Sequence, residues 1–165
     1  MTLAFRTLPG DNIGLGDNAL ASITTGTFNI AVGQSAGAAL TTGQQNVVIG
    51  VNAGYVLTAA STSVLIGPVA GRHLTTGDDN VFIGRAAGFS TTTAPRNVAI
   101  GAAALQNNVS GQQLVAIGDS ALASADGLSA VVAVGASAAY ALTTGESVTA
   151  VGRNALLACT TGGYN

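Results

Sequence analysis

Short aliphatic positions recur along this chain at a fixed interval, each group closed by a glycine. The closing glycines are Gly16, Gly33, Gly50, Gly67, Gly84, Gly101, Gly118, Gly135 and Gly152, and every step between them is seventeen residues. Nine copies without an insertion or deletion mark a tandem array of one structural unit. Starting the copies at Asn12, Asn29, Asn46, Ser63, Asn80, Asn97, Leu114, Val131 and Val148 sets the chain in seventeen columns. Column two is Ile or Val except at Thr149, and column four is Leu, Ile or Val throughout. Short, apolar, β-branched positions favour a strand. Glycine in column five ends that strand, because only glycine turns left-handed without a steric penalty.

The rest of the unit reads as turns and close packing. Column eight is alanine in every copy, including Ala36, Ala53, Ala70, Ala87 and Ala104. Such uniformity marks a place where the next wall comes too close for a larger side chain. Columns thirteen to fifteen are mostly Thr-Thr-Gly, as in Thr41-Thr42-Gly43, a second turn. The unit N-V-x-I-G-x-x-A-G/L-x-x-L-T-T-G-x-x therefore predicts one coil of two short strands and two turns. Stacked coils lie about 4.8 Å apart, so nine span roughly 43 Å. One coil cannot bury its own apolar face, and stability comes from stacking on its neighbours. The fold expected is an all-β parallel β-solenoid over residues 12–165. Residues 1–11, with Pro9-Gly10 as a break, are expected to form an N-terminal cap or linker. Asn165 is the first residue of a tenth copy, so the array is expected to continue, to dock end-on against another fibre or virion protein, or to have been cut at this point.

Column three reads Gly14, Ala31, Val48, Leu65, Phe82, Ala99, Ala116, Ala133 and Ala150, with no polar residue. A half-buried strand shows water every second residue, so a strand apolar on both faces is expected to be covered on both. Columns two and four are expected to fill the coil. Column three is expected to face another chain, with Val48, Leu65 and Phe82 as an oligomer interface. The alternative is an outer wall of weak apolarity on which those three form an exposed patch.

Composition narrows the classes. Hydrophobic residues are 48% of the chain while charged residues are 7%, the reverse of a disordered segment. Aromatics are only 4%, too few for a conventional globular core, and much of the apolar total is alanine. Gly, Thr or Asn interrupts every apolar run before the ~20 residues of a membrane helix, so no membrane insertion is expected. Five arginines, no lysine and a net charge of −2 give no nucleic-acid footprint. Cys159 stands alone, so no intrachain disulfide is possible. The segment Met1–Arg6 lacks the apolar stretch of a secretory signal.

Candidate chemistry is sparse. His73 is the sole histidine and Glu146 the sole glutamate. A general base needs an orienting partner and a nucleophile, and neither recurs beside His73 in adjacent coils, so a surface turn residue is expected. No two Cys or His stand at metal-ligand spacing, and Asp17, Asp119 and Asp126 form no ladder. Cys159 takes a column-twelve position that holds Leu elsewhere and reads as core filler. Gly67-Pro68-Val69-Ala70-Gly71 has no following helix and belongs to the repeat rather than to a nucleotide site. No catalytic residue, metal or cofactor is expected. The variable column ten carries Tyr55, Arg72 and Phe89 in three consecutive coils. Aromatics and arginine dominate binding hot spots, which makes these three the candidate surface-binding residues. The competing expectation is that they pack against a neighbouring chain.

The unit Asn97-Val98-Ala99-Ile100-Gly101-Ala102-Ala103-Ala104 resembles the head repeat of trimeric autotransporter (YadA-like) adhesins. It is also similar to N-x-A-I-G…T-T-G repeats of phage tail-fibre proteins. The resemblance covers residues 12–165, although the unit here is longer than the adhesin's. It implies a homotrimer of parallel left-handed β-rolls with a structural or adhesive role. The location implied is a virion tail fibre or a cell surface, and the partner a cell-surface glycan or protein. Two other readings stay open: an ice-binding solenoid using stacked pairs such as Thr24-Thr25 and Thr75-Thr76, and a self-assembling filament or capsid decoration. A left-handed β-helix acyltransferase fits poorly, because its hexapeptide signature appears once per coil here and the period is not divisible by six.

Overall fold

A computed structural model describes residues 5–163. Residues 1–4 of the expected cap or linker, and Asn165 at the start of a tenth copy, lie outside the described residues. The chain opens with a hairpin of β1 (Phe5–Leu8) and β2 (Asn12–Leu15). One three-residue strand then follows in each coil: β3 (Ile30–Val32), β4 (Val47–Ile49), β5 (Val64–Ile66), β6 (Val81–Ile83), β7 (Val98–Ile100), β8 (Val115–Ile117) and β9 (Val132–Val134). At the far end β10 (Thr144–Glu146) and β12 (Thr161–Gly163) form a separate parallel pair around β11 (Thr149–Val151).

The main sheet has ten strands in chain order, β1 to β9 and then β11. From β2 onward the pairing is parallel and column stands on column, as Val64 on Val81 and Ile66 on Ile83. The seventeen-residue unit is thus one turn of a β-solenoid. β1 runs antiparallel to β2, placing Thr7 opposite Ile13 and covering the edge of the first coil with paired backbone.

The column-five glycines make the corner after each strand. Gly67 has φ +128°, and a Cβ there would lie 2.6 Å from the Gly84 carbonyl oxygen of the next coil. Both the left-handed backbone and the close approach exclude a side chain. The corner closes with a hydrogen bond from the column-eight alanine, for instance Ala53 N–H to Gly50 C=O at 3.2 Å. Columns seven and seventeen also turn left-handed, with residues such as Asn52 (φ 55°), Val69 (φ 53°) and Asp79 (φ 59°). A β-branched residue such as Val69 rarely adopts that region.

Only one of the two expected strands per coil becomes a continuous ladder. The second stretch does stack, with Thr41 N–H donating to Thr58 C=O and Thr58 N–H to Thr75 C=O. The chain bends at the Thr-Thr pair, however, before three extended residues accumulate. Among the described residues a second strand pair forms only at β10 and β12, preceded by single parallel bridges from Gln112 to Ser129 and from Ser129 to Glu146.

The core inverts the expected sides of the strand. Val48, Leu65 and Phe82 are fully buried inside the coils and form no outer interface. The physical cause lies in columns one and nine. Alternation puts columns one and three on one face and columns two and four on the other. Column one goes inward because its asparagines satisfy backbone groups there. Asn29 Nδ2 donates to Gly43 C=O across its own coil at 2.8 Å and to Asn12 Oδ1 at 2.9 Å. Asn12 Oδ1 also accepts the Asn29 backbone N–H at 2.8 Å. Asn46 repeats the arrangement with Ala60 C=O and Asn29 Oδ1. The ladder weakens at Ser63 and resumes at Asn80. It ends where Leu114 N–H meets Asn97 Oδ1 at 3.0 Å. Beyond that, Leu114, Val131 and Val148 fill the same buried seam. Among the described residues every buried side-chain polar atom has a partner.

Column nine faces column three across the interior and varies against it. Opposite Val48, Leu65 and Phe82 stand Gly54, Gly71 and Gly88. A Cβ on Gly88 would lie 2.5 Å from the Phe82 ring, and one on Gly71 2.8 Å from Leu65. Where column three is Ala99 or Ala116, column nine supplies the buried Leu105 or Leu122. The column-eight alanines from Ala19 to Ala138 are buried, as close packing requires.

Candidate interaction surfaces

With columns one and three inside, the aliphatic residues of columns two and four form the outer face of the sheet. Ile30, Ile49 and Val151 are exposed, and Val64, Ile66, Val81, Ile83, Val98, Ile100, Val115 and Ile117 are half-buried. Two aliphatic side chains per strand thus stack coil after coil with no charged residue between them. A face three residues wide and nine coils long covers on the order of 400 Å². That is the size of the largest apolar patch on a typical monomer, which is often functional.

Column ten lies on a different stretch of the coil. The structure brings Tyr55 and Arg72 together, with the guanidinium carbon 5.3 Å from the Tyr55 ring centroid. That is cation–π distance. Phe89 turns to His73 instead, edge-on, with ring centroids 4.7 Å apart and an interplanar angle of 67°. The three candidate binding residues therefore stand in two adjacent pairs, Tyr55 with Arg72 and Phe89 with His73. His73 enters as the fourth member and is half-buried.

Beside Tyr55 runs a trough of about 320 Å³ across the first three coils. Ala21, Ala38 and Ala39 line it with Asn18, Ser22 and Ser35, and Tyr55 stands at its third-coil end. The trough exists because column ten is alanine in two coils and tyrosine in the next.

The threonine turn is occupied with the chain itself. In column thirteen the Thr24, Thr41, Thr58 and Thr75 hydroxyls donate to the column-thirteen carbonyl of the following coil, at 3.0–3.1 Å. Column fourteen, with Thr25, Thr42, Thr76 and Thr93, remains exposed. Cys159 is half-buried against the core, and its thiol donates to Thr161 C=O at 3.1 Å. Among the described residues no three His, Cys, Asp or Glu side chains gather to hold a metal ion.

Comparison with family models, curated proteins and solved structures finds no match. The surfaces alone therefore carry the functional reading. Sequence reasoning missed the outward face of columns two and four, although a signal was present. From the third to the seventh coil column nine is glycine where column three is large and leucine where it is alanine, and two positions that exchange volume face each other.

Proposed function

We propose that this chain is a rod segment of a structural or adhesive fibre, assembled as a homotrimer through the outer face of its sheet, without catalysis. The carrying observation is the continuous aliphatic face of columns two and four on a solenoid whose interior is already filled. Burying such a face releases about 25 cal/mol per Å² of apolar surface, and a second copy presents a flat, regular complement to it. Three chains sharing one axis cover three such faces at once, which is the arrangement the YadA-like and tail-fibre resemblance implies. A virion fibre or a cell surface is the corresponding location, with end-on contact to further fibre protein.

The test is mass in solution by analytical ultracentrifugation. Three chains per particle are expected for the native protein. Ile49→Glu combined with Ile83→Glu places charges on the outer face without touching the core, and is expected to yield folded monomers. A native chain that stays monomeric at high concentration overturns the proposal.

A further inference from the structure

We propose that the trough beside Tyr55 is a binding subsite for a neutral saccharide. A sugar ring offers an apolar C–H face and a rim of hydroxyls. It is recognised by an aromatic face together with short groups that both donate and accept hydrogen bonds. The trough supplies this combination. Tyr55 is 39% exposed, and Asn18, Ser22 and Ser35 contribute an amide and two hydroxyls. None of its lining side chains is charged, so an anionic ligand gains no ion pair inside it. Its apolar lining beside the tyrosine is Ala21, Ala38, Ala39 and Val56, which offers little bulk to an acyl chain.

Arg72 completes the site from behind. Its guanidinium lies over the Tyr55 ring from the fourth coil, while Ala38 and Ala21 line the trough from the second and first coils. The cation–π contact restrains the ring at the end of the trough. Two coil steps give about 10 Å of length along the axis, room for one or two sugar rings. The volume of about 320 Å³ suits a ligand of that size. Column ten does not repeat this step elsewhere with a cation behind the ring: Tyr140 follows Ala123 but precedes Leu157.

This subsite gives the adhesive part of the proposed function a location and rests on that reading for its biological purpose. The experiment reads ligand rather than mass, so failure of one is separable from failure of the other. Maltotriose, chitotriose and lactose, with sialyllactose as a charged control, are titrated at millimolar concentration against the assembled protein, followed by saturation-transfer NMR. At least one neutral sugar is expected to receive saturation. Tyr55→Ala is expected to weaken it by roughly tenfold or more, as for a central aromatic contact. Ala38→Arg fills the trough while leaving Tyr55 in place and is expected to abolish binding; circular dichroism checks that both variants keep the native fold. Arg72→Ala is expected to weaken binding less than Tyr55→Ala. The proposal is overturned if none of the neutral sugars binds, if only sialyllactose binds, or if binding persists in both the Tyr55 and the Ala38 variants.

Discussion

The third to fifth coils and the sixth and seventh coils solve one packing problem in opposite ways. In residues 46–96 the strand supplies the bulk, through Val48, Leu65 and Phe82, and the facing wall is Gly54, Gly71 and Gly88. In residues 97–130 the strand is thinned to Ala99 and Ala116, and the facing wall carries Leu105 and Leu122. The coil keeps its length and its register through the change. Across these five coils the volume between the two walls is kept rather than the residue on either, whereas the second coil pairs Ala31 with Gly37 and is filled from its neighbours by Leu20 and Val48. A solenoid whose neighbours must stack in register tolerates exchange across its interior more easily than a net gain or loss of bulk.

The largest effects are expected from breaking that exchange in one coil. Phe82→Ala leaves a cavity beside Gly71 and Gly88 and is expected to cost about 3–5 kcal/mol. Gly88→Leu alone drives a side chain into the Phe82 ring and is expected to destabilise by ~3 kcal/mol or more. Together the two substitutions give the fifth coil the column-three and column-nine residues of the sixth, where Leu105 holds the same left-handed backbone at φ 52°. The double variant is expected to regain most of the stability lost by either single one. Urea denaturation of all four proteins measures the coupling as a double-mutant cycle. Simple additivity would mean that the two walls do not share one space. Because repeat arrays can unfold in pieces, amide exchange across residues 63–113 should show the same ranking locally.

The same exchange explains what could be read without coordinates. The period, the strand in columns two to four, the corner glycines and the buried alanines all follow from residue type at a single position. A glycine at φ +133° or an alanine against a wall is dictated locally. Which face of the strand turns inward is not local. Aliphatic residues in columns two and four are a stronger hydrophobic signal than alanine in column three, yet they lie outside. In the early coils Asn29 and its equivalents hold that direction, because their amides find partners inside the coil, and from Leu114 onward apolar burial of column one keeps it. Asparagine beside a turn reads as exposed by type, and only the fourteen-residue reach from Asn29 to Gly43 shows otherwise. Column ten shows a similar non-local effect. Spacing put Tyr55, Arg72 and Phe89 in a row, but the neighbouring column supplied His73 as the partner of Phe89.

The asparagine seam offers the second comparison, since it is polar up to Asn97 and apolar from Leu114 onward. Asn46→Leu copies the later seam into an early coil. It removes the acceptor for Ser63 N–H and the donor to Ala60 C=O, both in a buried setting. Each orphaned group costs ~1–3 kcal/mol, so a loss of about 2–4 kcal/mol is expected in spite of the added apolar bulk. The leucine at position 114 is accommodated because its coil differs elsewhere: column fifteen there is the buried Leu128, where Ala60 stands in the third coil. A thermal scan in which Asn46→Leu equals the parent would show that the seam is indifferent to polarity.

The smallest effect is also the one with the opposite sign. Ser63 is the single interruption in the early asparagine seam, and its hydroxyl reaches the Asn80 backbone N–H only at 3.2 Å. It spans no distance to the opposite turn, where Gly77 C=O is met instead by Asn80 Nδ2 from within the fifth coil's side of the step. An asparagine at position 63 would carry Oδ1 to Asn80 N–H, as Asn80 Oδ1 does for Asn97 N–H at 3.0 Å. Its amide would reach across to Gly77, fourteen residues on, the span that Asn46 makes to Ala60. One added net hydrogen bond contributes about 1 kcal/mol, so Ser63→Asn is expected to raise the midpoint of urea unfolding slightly. Exchange of the Asn80 amide should slow by a corresponding factor of roughly five. A neutral or destabilising result would mean that the fourth coil is too narrow at this point for a full amide, and that serine there relieves crowding rather than interrupting a ladder.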